Sequence, residues 1–330
     1  MRRILTDDVA TYAEEYADSI TCSKKNGLAQ WNKMPIDRLA ELRNWLKQKK
    51  EYRLARYVRK IELHFREIVL LIPDDFGLYH SRNFELVWNE GDLNKKLAFH
   101  KEEKPFWELV VWALNYEGVR DTVFPYFIRK MKIQSCVYCN SQYAVTTEKD
   151  KDGNSWAMYQ LDHFKPKSKF PYLAVSFYNL QPCCANCNQH KYNKDALFNL
   201  YTNMPSELEP FHFVFTPDDM IKFIVSGDDA VLVKLDSHDT KLLANHQELF
   251  LVDMVYGQHI DIAKETLVRL YMNDVYYRKQ LHESLVELFP NGVESPERFF
   301  WGNYMNKKEI HRRPMSKFMQ DVVDFAWKKH

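Results

Sequence analysis

The chain contains no apolar run long enough to cross a membrane. Its most apolar stretches, Ile68-Val-Leu-Leu-Ile72 and Val110-Val111-Trp112-Ala113-Leu114, fall far short of the roughly 20 residues a spanning helix needs and lie beside charges. Met1 to Asp8 places basic residues first but no apolar core after them, so no secretory leader is expected. Net charge is only +1, which excludes a global electrostatic field and confines any nucleic-acid surface to local patches. Glycine is scarce, at 9 of 330 residues, and the chain has no glycine-rich phosphate loop of its own. Internal repeats and low-complexity linkers are also absent. What remains is an ordered globular composition, 45% hydrophobic and 15% aromatic, long enough for two or three domains.

Five of the six cysteines fall between Cys136 and Cys187. They read Cys136-Val-Tyr-Cys139 and Cys183-Cys184-Ala-Asn-Cys187, so two Cys-x-x-Cys pairs bracket the 44 residues 140–183. Each pair can wrap one edge of a metal tetrahedron, because two intervening residues form a tight knuckle that aims both sulfurs at one point. A zinc site of Cys136, Cys139, Cys184 and Cys187 is therefore expected, with Cys22 and Cys183 outside it. Buried core cysteines fit poorly, since Asn140, Ser141, Asn186 and Asn188 make the flanks polar and turn-like. Clustered cysteines without an export signal point to a reducing, cytoplasmic setting, where thiolates bind metal more readily than they pair.

Between the knuckles lie Leu161-Asp162-His163-Phe164 and Asn179-Leu180, and after the second comes Asn188-Gln-His190-Lys191. Asp-His at a strand end, a downstream Asn-Leu, then Cys-x-x-Cys-Asn-x-x-Lys resembles the zinc-stabilised HNH (ββα-metal) endonucleases over residues 136–191. Within that superfamily the Asp162–Ser168 run and the Asn-Leu-x-x-Cys-Cys run are most similar to HNH nucleases of bacterial anti-phage systems, of the type of the Septu nuclease subunit that also occurs in some retrons. The resemblance implies phosphodiester hydrolysis, more readily of DNA than RNA, with structural Zn²⁺ and catalytic Mg²⁺ or Mn²⁺. By position it makes His163 the general base, Asp162 and Asn188 the metal ligands, Asn179 the brace of the loop that carries the base, and Lys191 a phosphate contact. It also implies a separate ATPase subunit as partner.

The residue types suit that chemistry. Histidine ionises near neutral pH and can take a proton from water, while a carboxylate offers the hard oxygen that Mg²⁺ prefers. Neighbouring strand residues face opposite ways, so Asp162 and His163 converge only where the strand breaks, which is where Phe164-Lys-Pro166 places them. His190 would point away from Asn188 if the segment is helical.

The expected fold is α+β and predominantly helical, with a central zinc-stapled ββα module. Residues 1–134 read as helical, 135–200 as the nuclease module and 201–330 as a mixed region without a chemical motif. Pro35-Ile36-Asp37 opens a helix with Leu39, Leu42 and Leu46 on one face, and Leu54, Tyr57, Val58 and Ile61 mark the next. Arg53, Arg56 and Lys60 share its other face, either as a solvated surface or as a phosphate-tracking stripe. Pro105 starts an apolar helix that Gly118 should end. In the module, 142–147 and 156–161 read as hairpin strands around a charged turn at 148–154, with a short helix over 188–193. Strands are expected at 211–215, 221–225 and 230–235. Lys165 and Lys167 form a basic loop after His163, and Arg129 and Lys130 precede the first knuckle; these four join Lys191 as candidate nucleic-acid contacts. The rival reading is a zinc-stapled nucleic-acid-binding or adaptor module without catalysis, in which Asp162 and His163 have no role.

Overall fold

The computed structural model describes residues 1–21, 31–84, 90–147, 157–215, 233–272, 275–288 and 296–327. Cys22, the charged turn at 148–154 and the strand expected at 221–225 lie outside the described residues. The protein is mostly helical with a few short strands. It divides into two compact units, one of Arg3–Met131 with Val145–Leu208, the other of Met1–Arg2, Lys132–Ala144 and Glu209–His330.

The first unit begins β1 (Ile4–Leu5), α1 (Thr6–Thr21), α2 (Pro35–Gln48), α3 (Tyr52–Leu63), α4 (Phe65–Leu70), α5 (Phe76–Asn83) and α6 (Glu90–Leu93). The hairpin β2 (Lys96–Phe99) and β3 (Glu102–Pro105) leads into α7 (Phe106–Ala113), α8 (Tyr116–Gly118) and α9 (Phe124–Lys130). After the excursion into the second unit come β4 (Val145–Thr146), β5 (Ala157–Met158), β6 (Gln160–His163), β7 (Leu180–Cys183), α10 (Ala185–Lys191) and β8 (Tyr201–Thr202), the last pairing in parallel with β1.

Local chemistry accounts for these elements. Pro35 occupies the first turn of α2, where its missing N–H costs nothing, and the Asp37 carboxylate accepts from the Met34 N–H at 3.0 Å. Leu39, Leu42 and Leu46 of α2 and Leu54, Tyr57, Val58 and Ile61 of α3 are buried, as their helical spacing requires. Two residues of the basic face of α3 are engaged within the chain, Arg53 pairing with Asp92 at 3.1 Å and Lys60 donating to the Asn83 carbonyl, while Arg56 is exposed. Helix α7 stops at Ala113, short of Gly118, because Asn115 turns left-handed at φ 55° and ψ 42°.

An aromatic cluster carries this order to the loop behind β6. Tyr16 of α1 meets Phe124, Phe127 and Phe177 at ring separations of 5.8, 5.6 and 5.4 Å. All four are fully buried, and the Tyr16 hydroxyl donates to the Val175 carbonyl at 2.8 Å. A buried phenol needs such a partner, and this one fixes the backbone beside Ala174.

The hairpin expected from 142–147 and 156–161 takes a different form. Within the first unit β4 pairs with β5, whereas β6, which ends in Asp162 and His163, pairs antiparallel with the later β7. The ββ pair in front of the helix is thus β6 and β7, and its register sets Asp162 opposite Gln181 and His163 opposite Leu180. Helix α10 starts three residues earlier than the expected 188–193 span, with Cys184 as its N-cap.

In the second unit the strands His212–Val214 and Lys234–Asp236 pair antiparallel, and helices Thr240–Phe250, Val252–Gly257, Ile260–Met272 and Ser316–Trp327 follow. Asp239 caps the first of these helices by accepting from the Lys241 and Leu242 N–H groups, which gives that acid a structural role. Phe213, Tyr256 and Phe318 form the core, and the buried Lys317–Asp321 pair at 2.6 Å anchors the Phe213 N–H.

His246 and His311 are buried in this unit, donating from Nε2 to the Tyr138 and Arg2 carbonyls respectively at 2.8 Å each. Burial holds both imidazoles neutral, down to about pH 3. Unfolded, each takes a proton near pH 6.5, so the unfolded chain binds more protons below that pH and stability falls as pH drops from 6.5 towards 3. Each contributes a loss on the order of 2 kcal/mol by pH 5. Urea unfolding at pH 7 and pH 5 should show this loss, and His311→Gln should reduce it; an unchanged acid slope in that variant would refute the assignment.

Candidate active site

Three short elements build the site. Strand β6 brings Asp162 and His163 to its last two positions, β7 runs back beside it, and α10 follows at once. The intervening residues 164–179 leave the strand at Phe164 and close again at Asn179, whose carbonyl accepts the Phe164 N–H at 2.8 Å. Asn179 is fully buried. Its Oδ1 accepts the Lys165 N–H at 2.7 Å, and its Nδ2 donates to the Lys165 and Leu173 carbonyls at 3.2 and 3.0 Å. One side chain therefore ties both ends of the loop together, and an amide is the smallest group with donor and acceptor arms for that task.

His163 is 5% exposed, and its Nε2 lies 3.0 Å from the Ala174 carbonyl. A carbonyl only accepts, so Nε2 carries the proton and Nδ1 keeps its lone pair. The imidazole is neutral, its pKa lowered to about 3 chiefly by burial and further by the Lys167 and Lys191 charges, against the raising effect of the Ala174 bond. The Tyr116 ring packs 4.8 Å from the imidazole, and its hydroxyl donates to the Leu161 carbonyl at 2.9 Å on the same strand.

Asp162, 6% exposed, faces the ammonium of Lys191. Lys191 Nζ lies 3.2 Å from Oδ1, 3.0 Å from Oδ2 and 2.7 Å from the His163 carbonyl, so one cation holds the carboxylate and the strand end together. The side chain expected to meet substrate phosphate thus points inward and is fully buried. A carboxylate oxygen is also the hard donor that a divalent cation such as Mg²⁺ prefers. Asn188 lies three residues before Lys191 on α10, on the helix face turned to β6, and is half-buried. A carboxylate and a neutral amide oxygen are a donor set suited to such an ion. His190 is exposed.

The basic candidates separate. Lys167 is half-buried with its ammonium 4.8 Å over the Tyr116 ring, and burial and Arg120 lower its pKa. Lys165 is half-buried, over Phe164 at 5.1 Å and Phe170 at 5.9 Å. Arg129 donates to the Thr147 carbonyl at 3.1 Å, and Lys130 pairs with Glu15 at 2.6 Å and lies 4.9 Å over Tyr126. These last two hold α9 to its neighbours. Sequence reasoning did not find Tyr116 or Ala174. The first has no motif, and the second acts through its backbone, which residue identity cannot reveal.

Cys136, Cys139, Cys184 and Cys187 are all buried, and their sulfurs lie within 4.8 Å of one another. A tetrahedral ion with bonds of about 2.3 Å places sulfurs about 3.8 Å apart, so the donors fit one thiophilic metal ion. Cys183 is not in the cluster; its sulfur faces the Gln160 carbonyl at 3.6 Å. The first knuckle is held by other residues of the second unit, to which it belongs. Asn140, left-handed at φ 54°, donates to Ser135 Oγ and the Ile310 carbonyl and accepts the Lys317 N–H, while the Tyr256 hydroxyl donates to the Cys139 carbonyl at 2.8 Å. Ser141 donates through its N–H and hydroxyl to the Cys139 sulfur at 3.4 and 3.1 Å, the arrangement that orients a thiolate.

No curated protein and no solved structure matches the chain. Its residues 136–194 match the family of HNH endonucleases, so the segment that holds both knuckles, Asp162, His163 and α10 is similar to HNH endonuclease domains, which are typically nucleases that use a metal.

Proposed function

We propose that the chain is a metal-dependent endonuclease that hydrolyses phosphodiester bonds in nucleic acid, DNA in the first place. The observation that carries this reading is the tautomer of His163. With Nε2–H committed to the Ala174 carbonyl, Nδ1 keeps the lone pair that a general base needs, one residue after Asp162 at the end of β6. In this reading Nδ1 takes the proton from the attacking water. Asp162 and Asn188 hold Mg²⁺ or Mn²⁺, which would supply positive charge for the phosphate as it gains a fifth oxygen. Asn179 keeps the loop behind His163 closed, so the imidazole does not swing with its strand end. Lys191 holds the carboxylate in place. Lys165 and Lys167 are the nearest basic side chains in sequence for substrate phosphates.

The four clustered cysteines hold one Zn²⁺, which carries no chemistry and fixes a module too small to have its own core. The near-zero net charge supports weak nucleic-acid binding by the chain alone, and the resemblance to Septu-type nucleases implies an effector of a cytoplasmic anti-phage system gated by a separate ATPase subunit.

Three outcomes test this. The purified protein should contain about one zinc, and Cys139→Ala should lose zinc and fold together; a folded protein free of zinc would remove the framework. His163→Ala should keep zinc and the fold, with a lower melting temperature from the emptied buried site, while plasmid nicking in Mg²⁺ or Mn²⁺ falls by roughly two to four orders of magnitude. Asn188→Ala should also lose nicking but regain part of it at higher metal concentration. If His163→Ala nicks like the native protein, the catalytic reading fails and a non-catalytic binding module replaces it.

A further inference from the structure

Next to the His163–Tyr116 contact opens a cleft of about 470 Å³, lined by residues of α2, β2, β3, α7, α8 and the loop after β6. Tyr116 is shared: one side of its surroundings is His163, and it also lines the cleft with Lys167 and Arg120. The site of chemistry and the cleft are therefore one aromatic ring apart.

Helix α7 supplies the wall. Its Phe106, Leu109, Val110 and Ala113 are buried, and its opposite face carries Trp107 and Trp112, half-buried at the cleft. Trp112 is already engaged, with Phe99 and His100 at 5.0 and 5.3 Å and the Arg38 guanidinium at 5.4 Å. Trp107 has no ring partner among the described residues.

Asn115 supplies the second observation. It is 7% exposed, lines the cleft, and its Nδ2 finds no hydrogen-bond partner among the described residues. Burying an unsatisfied donor is unfavourable. The left-handed backbone alone does not explain the residue, since glycine adopts φ 55° without that cost. Space for the amide is reserved by Gly118, where a Cβ would come within 2.5 Å of Nδ2. A buried donor kept unpaired at the wall of a cleft awaits an acceptor on a ligand.

We propose that this cleft is a nucleotide subsite that takes one base of the bound strand, stacked on Trp107, with its edge read by the Asn115 amide and an adjoining phosphate met by Arg120 and Lys167. A flat π-face, a directed amide and two cations are the elements that recognise an unstacked nucleotide. Three glutamates also line the cleft, which disfavours bare phosphate and suits a base with exocyclic amino groups. A volume of this size accommodates a nucleotide-sized ligand. The nuclease reading enters only in naming the strand as the source of the nucleotide.

The test uses the full chain carrying His163→Ala, so that binding is read without cutting. Affinity for a short oligodeoxynucleotide is compared by fluorescence anisotropy with that for an abasic oligomer of equal length. The abasic oligomer should bind about 5- to 150-fold more weakly. In Asn115→Gly, which retains the left-handed backbone, and in Trp107→Ala, that gap should shrink several-fold while zinc content and melting temperature hold. Gly118→Ala should reproduce Asn115→Gly by displacing the amide. A gap that is absent, or unchanged in all three variants, overturns the subsite. Tight binding of free mononucleotides, lost in the same variants while the oligomer gap is unaffected, overturns the strand as source and assigns the cleft to a free nucleotide. Nicking by the native protein is scored separately: a coupled gap without nicking sinks the nuclease reading and leaves the subsite standing.

Discussion

The site depends on one buried ion pair. The Lys191 ammonium is 1% exposed and the Asp162 carboxylate 7%, and neither charge could remain there alone. Removing one partner of such a pair costs about 3–5 kcal/mol, because the other is left uncompensated. The same ammonium also binds the His163 carbonyl, so it fixes the last two residues of β6 at once. Since Lys191 ends the helix that Cys184 begins, the contact also sets how that helix lies against the strand. Asn188, three residues before Lys191, shares its face of that helix.

Around that pair the chain commits further buried polar groups, each satisfied. Asn179 spends both arms of its amide on the loop behind His163, and Ala174 spends its carbonyl on the imidazole. The loop is in turn packed by Phe177 and tied by Tyr16. Helices with no chemical motif thus determine the tautomer of one histidine. Residues 209–330 act similarly on the first knuckle, through Tyr256, His246 and the backbone of Ile310 and Met315. A segment that looks empty of function from its residues has a structural task.

Much of this was legible in the sequence because it is local. Cys-x-x-Cys spacing implies a knuckle, Pro166 implies the end of a strand, and leucines at helical spacing imply α2 and α3. What was not legible is pairing over distance. Nothing in Asp162-His163 states that its strand pairs with Leu180–Cys183 rather than with the strand before it, since that depends on how residues 164–179 fold back. Burial of charge was equally hidden: Lys191 reads as a basic residue near a phosphate site, and only the register of α10 against β6 turns it inward. Arg129 and Lys130 read the same way until Thr147 and Glu15 are seen beside them. Asn115 gave no signal, because a left-handed backbone after a helix is not written in its neighbours.

The central claim is that His163 acts through Nδ1 as a base, and chemical rescue tests it most directly. In His163→Gly the imidazole is replaced by space at the strand end. Added imidazole should then restore metal-dependent strand cleavage in proportion to its unprotonated fraction, and should do nothing for the native protein or for Asp162→Ala. Cleavage by His163→Gly that equals the native rate without imidazole would contradict the account.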